Sequence, residues 1–295
     1  MALPTKFANF FLFFILRFKK IPKFKGKYRI FKLFLKIYHL LSHNKYLIVE
    51  LKNSIKMKLS ILSFEKIAIM DGDYDEKEIN LIKSRLNINK NILDVGCNIG
   101  FYSIFLAKYI KEKKGVGKIF AFEPHYNNYY NLKKNINMNS LNDIIIPFNF
   151  GLSNKNIISN LILREDFNNN SMTGNCSIEN FSKMDQGFKK VKCKLKKFDD
   201  IKGIPKNLGL IKVDIEGHEN LFFEGAKKTI KKYKPNILFE LNKKFYFEKF
   251  KNNRLNFNKL FYILFECKYK MYCLSSNSRV KDLNKCKSLT NIFCY

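Results

Sequence analysis

The hydrophobic rhythm of the chain changes twice. Residues 29–43, RIFKLFLKIYHLLSH, put Ile30, Phe34, Ile37 and Leu41 on one helical face and Lys32, Lys36, His39 and His43 on another. That spacing predicts an amphipathic helix with a cationic side, which either packs on a larger domain or lies on a membrane surface. From Tyr46 to about Met70, the β-prone runs YLIVEL and IKMKLSIL are broken at Lys52-Asn53-Ser54, which predicts a hairpin. Asp71-Gly72-Asp73 interrupts the pattern, and EKEINLIKSRL then reads as a helix.

Beyond Asn91 the rhythm becomes a regular exchange of buried strand and amphipathic helix. NILDVG is followed by a helix through FYSIFLAKYI, KIFAFE by one through NYYNLKKNINMN, and then comes DIIIPFNF. These short, nearly continuous apolar runs suit strands covered on both faces, so the pattern predicts a doubly wound, mostly parallel α/β sheet. Between Leu152 and Asp200 the alternation lapses into a polar stretch containing REDFNNNSMTGNCS. It resumes with LGLIKVD, a helix through ENLFFEGAKKTIKKY, and PNILFEL. A helix near Leu255 to Phe265 and the strands KYKMYCL and TNIFCY complete seven predicted strands. The organisation expected is a basic helical segment over 1–45, a hairpin and helix over 46–88, and the α/β domain over 89–295, with an irregular acceptor-side insertion at 168–187.

Composition excludes disorder, because 46% of residues are hydrophobic and 15% aromatic. The net charge of +30 points to nucleic acid, an anionic membrane or an acidic ligand. Only Arg17, Arg29, Arg85, Arg164, Arg254 and Arg279 are arginines, however, and the abundance of Lys, Asn, Ile and Phe also matches an A/T-rich coding bias. The seven cysteines include no C-x-x-C pair, which predicts reduced thiols, a cytoplasmic setting and no zinc site. Ala8 to Leu16 is an apolar run, interrupted by Asn9 and too short to span a bilayer, and no small-residue cleavage site follows it. With its lysines and aromatics, the stretch 10–41 predicts peripheral association with anionic membrane.

In such sheets ligands bind beyond the carboxyl ends of the strands. The first strand of the α/β pattern ends in Asp94-Val95-Gly96-Cys97-Asn98-Ile99-Gly100 and runs into a helix, while Glu123 ends the next. A glycine turn lets backbone approach a ligand, and a carboxylate in the second position accepts ribose hydroxyls. Two glycines four apart do not make the G-x-G-x-x-G turn of a pyrophosphate site, whereas Asp94 favours a cationic nucleoside, S-adenosylmethionine. Where the fourth strand ends, Asp214-Ile215-Glu216-Gly217-His218-Glu219 offers Asp214, Glu216 and His218 as candidate bases. Capping of the following helix is the plainer role for Glu216 and Glu219. His125 is expected at the cofactor rim, and no grouping has metal-ligand spacing, which leaves a metal only to carboxylates that folding gathers.

The chain resembles the FkbM-type methyltransferases in ILDVGCNIGFYS, FAFEPH with NLKKNINMN, NFGLSN, and above all LIKVDIEGHENLFFEGA with PNILFEL. The resemblance covers roughly Tyr46 to Tyr295. It implies a Rossmann-like class I fold and S-adenosylmethionine held by Asp94, Gly96, Asn98, Gly100 and Glu123. It also implies O-methylation of a sugar, glycolipid or related small molecule. The acidic residue that the wider class often uses for adenine is absent from Asn149 to Ser153, and Ser153 stands as its substitute. Two other readings are an RNA methyltransferase, which lacks an N-P-P-[FY] site, and a non-catalytic binding protein on the same scaffold. The acceptor site is expected from Asn168 to Gly187 together with the N-terminal region.

Overall fold

The computed structural model describes residues 3–19, 21–22, 24–44, 46–61, 69, 74–163, 176–178, 188–251 and 254–295. Residues 1–76 fall in one compact unit, and 77–163 with 175–295 in another.

The first unit begins with helices α1 (Leu3–Lys19) and α2 (Lys27–Ser42). They pair through rings, with Phe34 lying 5.7 Å from Phe11 and 5.1 Å from Phe18. The buried side of α2 is Phe31, Leu35 and Tyr38, not the expected Ile30, Phe34, Ile37 and Leu41. Phe34 of the expected face still meets the α1 rings and is half-buried, so the buried side of the helix is displaced from that face and overlaps its edge. Strands β1 (Tyr46–Glu50) and β2 (Lys56–Ser60) form the anticipated antiparallel hairpin, turning through Lys52–Ser54.

Helix α3 (Glu76–Arg85) leads from the first unit into the second, which continues through β3 (Asn91–Val95), α4 (Phe101–Glu112), β4 (Ile119–Phe122), α5 (Tyr126–Met138) and β5 (Ile145–Phe148). Next come β6 (Gly151–Ser153), β7 (Ile157–Leu163), β8 (Cys176–Ile178) and β9 (Lys189–Lys197). The chain returns through β10 (Leu208–Val213), α6 (Glu219–Gly225), α7 (Lys227–Tyr233), β11 (Asn236–Asn242) and α8 (Lys243–Phe250). Two short helices, α9 (Phe257–Leu260) and α10 (Tyr262–Glu266), precede β12 (Met271–Cys273), β13 (Ser278–Val280) and β14 (Leu289–Cys294).

The main sheet has the order β13-β12-β14-β11-β10-β3-β4-β5. Its five strands from β11 to β5 are parallel and β14 runs against β11. The eighth strand, β13, is a short edge piece of the C-terminal hairpin that carries little apolar pattern of its own. Pro147 is tolerated because β5 is an edge strand, where a missing N–H breaks no inner ladder. Strand order reverses between β3 and β10, which opens a crevice beyond their carboxyl ends. Beneath it lies an aromatic core in which Phe223 and Phe239 meet edge to face at 5.5 Å and Phe261 stacks on Phe239 at 5.2 Å. Truncating one such ring costs about 3–5 kcal/mol.

The stretch between Leu152 and Asp200, expected to be irregular, builds a second sheet of order β6-β9-β7-β8. Strand β9, KKVKCKLKK, alternates with period two, burying Cys193 and Leu195 while Lys190, Lys192, Lys194 and Lys196 face outward. So many lysines hide the strand pattern in the sequence. Of the expected acceptor segment 168–187, only Cys176–Ile178 falls within the described residues, as β8.

Candidate active site

Three turns meet at the crevice. The first follows β3, where Gly96 has φ +77° and a Cβ there would lie 2.0 Å from the Asp214 carbonyl oxygen. Only glycine permits that approach of two backbones. The Gly96 and Cys97 N–H groups both donate to the Phe122 carbonyl, and the Asp214 N–H donates to that of Val95, so the ends of β3, β4 and β10 are tied together. Asn98 follows in the left-handed region at φ 52°, and Gly100 precedes α4 at φ 90°.

Asp94 sits under this turn, fully buried. Its Oδ2 accepts from Ser103 Oγ at 2.6 Å, while Oδ1 has no hydrogen-bond partner. Burial pushes its pKa up, opposed by the nearby Lys212 and by the Ser103 hydrogen bond. A buried carboxyl with an open oxygen gains from a cation or donor brought to it.

Glu123 closes the turn from the β4 side. Its Oε2 accepts from the Asn98 N–H at 2.9 Å and its Oε1 from the His125 N–H at 2.8 Å, stitching the β3 turn to the start of α5. His125 is buried at the head of α5, and Asn149 donates to the carbonyls of Glu123 and Pro124.

The third turn runs from Asp214 to His218. Asp214 is half-buried, and its Oδ2 lies 3.1 Å from Nζ of Lys212, a buried lysine whose ammonium also sits 4.7 Å from the Tyr102 ring centroid. Folding gathers Asp214, Glu216 and Glu240, from the ends of β10 and β11, so that one carboxylate oxygen of each lies within 4.8 Å of the others. Glu240 is thereby added to the candidates, and the three are the group among the described residues that could hold a metal ion. Its only sequence signal was its place at the end of PNILFEL.

Glu219 shapes this turn from behind. Its buried Oε1 accepts from the N–H groups of Ile215 and Gly217, both at 3.2 Å, and its Oε2 accepts from Tyr246 Oη at 2.5 Å. Burial raises the pKa of both side chains. Glu216 and Gly217 both have positive φ, and a Cβ on Gly217 would lie 2.6 Å from Cβ of Phe245. Helix α8 thus clamps the turn through Phe245 and Tyr246, two residues that carry no motif signal.

His218 and Ser153 are brought together. Both are buried, with Ser153 Oγ 2.8 Å from His218 Nε2. Burial, with Lys249 adding repulsion, lowers the His218 pKa to about 3. A sealed imidazole so far from neutrality is a weak base, and a sealed hydroxyl already bonded to it has no open side for adenine. Burial therefore argues against the roles expected of both.

The chain matches the family model described as the methyltransferase FkbM domain over residues 94–271, more than half of its length. No curated protein sequence matches it. Among solved structures, methyltransferase FkbM from Methylobacillus flagellatus KT is 16% identical with a TM-score of 0.47. That alignment covers 95% of this chain but 58% of the other. TYW2 from M. jannaschii, solved in complex with AdoMet, is 15% identical with a TM-score of 0.43, over 85% of this chain and 84% of that one. Precorrin-6y C5,15-methyltransferase from Geobacter metallireducens GS-15 is 11% identical with a TM-score of 0.39, over 74% and 86%. On the extent of the domain match, this protein belongs to the FkbM methyltransferase family.

Proposed function

We propose that the protein methylates a hydroxyl group of a sugar, glycolipid or related small molecule with S-adenosylmethionine as donor. The observation that carries the reading is the meeting of the Gly96 turn with Asp214, Glu216 and Glu240 at the crevice between β3 and β10. Clustered carboxylates suit a cofactor that bears an ammonium and a sulfonium. The residues present also fit it in detail, since Gly96 leaves room for backbone approach and Asp94 Oδ1 lacks a partner.

Asp94, Gly96, Asn98, Gly100 and Glu123 would hold the cofactor. When bound, it supplies a methyl group activated by positive sulfur. Asp214 takes the proton from the acceptor hydroxyl, with Lys212 fixing the direction of its carboxylate. Glu216 and Glu240 keep the surroundings negative. His218 and Ser153 hold β6 to α6 from within.

Calorimetric binding of S-adenosylmethionine, followed by labelled methyl transfer to glycans, lipids and RNA, tests the reading. Absence of cofactor binding would refute it. Transfer to RNA alone would select a second reading, for which the outward Lys190, Lys192, Lys194 and Lys196 of β9 are the specific support. RNA binding through that row would show a log–log salt slope of about −0.7 per phosphate contact.

A further inference from the structure

The α1–α2 pair turns apolar surface outward as well as inward. On α2 the buried Phe31, Leu35 and Tyr38 define one side. At about 100° per residue, Ile30, Leu33, Ile37 and Leu40 form a second stripe nearly opposite. Leu33 is 54% exposed and Leu40 73%. Helix α1 repeats the arrangement, burying Ile15 and leaving Phe13 and Phe14 51% and 50% exposed, with Phe10 beside them. Arg29, Lys32 and Lys36 lie along the margin of the outer α2 stripe, and the Arg17 guanidinium lies 4.6 Å from the Phe13 ring centroid.

Charge decides what such a face meets. Residues 1–49 hold eleven Lys and Arg and not one Asp or Glu. A second copy of the same surface would bring cation against cation, which opposes self-association. No helix among the described residues is long and apolar enough to cross a membrane. An apolar stripe flanked by cations on a helix of this kind matches an element lying in a headgroup layer.

We infer that the α1–α2 hairpin docks on an anionic bilayer, seating Phe10, Phe13, Phe14, Leu33 and Leu40 among the upper acyl chains while Arg17 and Arg29 meet headgroup phosphates. Insertion adds a salt-resistant component to a salt-sensitive attraction. The inference concerns the first unit alone and requires neither cofactor nor acceptor, so it stands or falls apart from the proposed chemistry.

The test is sedimentation of the full chain with vesicles of phosphatidylcholine, alone or with about a third phosphatidylglycerol, at low and high salt. Binding is expected to the anionic vesicles, with a fraction retained at high salt. The triple variant Phe13→Ser, Phe14→Ser, Leu33→Ser should lose that retained fraction and bind about tenfold or more weakly at low salt. Its melting temperature should hold, because all three side chains are exposed. Equal binding by parent and variant would overturn insertion, and equal binding to both vesicle types would overturn the anionic preference. A concentration-dependent dimer, abolished in the variant and unaccompanied by vesicle binding, would overturn the proposal in favour of a second copy.

Discussion

Replacing Glu219 should separate the clamp on the 214–218 turn from the chemistry the turn carries. In Glu219→Ala the Gly217 N–H and the Tyr246 hydroxyl lose a buried carboxylate acceptor, while the half-buried Ile215 N–H can turn to water. A buried donor left without its partner costs about 1–3 kcal/mol, so two cost about 2–6. Burial already disfavours the ionised Glu219, and its removal returns part of that cost, leaving about 2–4 kcal/mol. At about 2–4 °C per kcal/mol for a domain of this size, the melting temperature should fall by roughly 5–15 °C. Glu219→Gln keeps an acceptor for the two N–H groups and a polar partner for Tyr246, so it should melt within a few degrees of the parent. The two variants also differ with pH. The Glu219 pKa is raised above the ordinary value of 4.5, so its carboxyl contributes most below that value and contributes progressively less as pH rises through the raised one. Stability of the Gln variant relative to the parent should therefore increase with pH over that interval. Thermal melts across pH, with S-adenosylmethionine calorimetry as a control on the untouched Gly96 turn, check both points. An Ala variant that melted with the parent and kept its turnover would refute the clamp.

Four other outcomes are expected. Glu123→Ala should lower S-adenosylmethionine affinity at least about tenfold by calorimetry, and should also lower the melting temperature because Asn98 and His125 lose their acceptor. Asp214→Asn should reduce turnover about 100- to 10,000-fold in the labelled-transfer assay while cofactor affinity stays nearly unchanged. Gly96→Ala should destabilise the fold outright, seen as poor recovery of folded protein, since its methyl would lie 2.0 Å from a backbone oxygen. His218 stays neutral when folded but takes a proton near pH 6.5 when unfolded, so urea-melt stability should fall as pH drops from about 6.5 towards 3, and His218→Gln should flatten that slope.

The main sheet was legible because its strands are short apolar runs punctuated by Asp94, Glu123 and Asp214, and strand-end polarity marks where ligands bind. What a single line of residues could not carry was direction and depth. His218 and Asp214 look equally suited to accept a proton in DIEGHE, yet folding leaves Asp214 half-buried beside Glu216 and Glu240 and buries His218 against Ser153. Glu240 and Tyr246 are far from the motif in sequence and join it only because β11 lies beside β10 and α8 follows β11. On α2 the apolar residues spread over more than one face, and the fully buried set, Phe31, Leu35 and Tyr38, lies beside the face that the spacing suggests.

The same distinction bears on the charge of +30. A coding bias towards Lys spreads cations without regard to position. In the structure the charges are sorted, with carboxylates concentrated at the ends of β10 and β11 and lysines filling the outward side of β9. Residues 1–49 carry cations with no carboxylate at all. An A/T-rich coding bias would account for the abundance of lysine over arginine, but it would not account for why Lys212 is buried 3.1 Å from Asp214 while Lys192 and Lys194 have no carboxylate partner among the described residues. Position, more than net charge, decides which surface would draw anions and whether the crevice would draw a cationic cofactor.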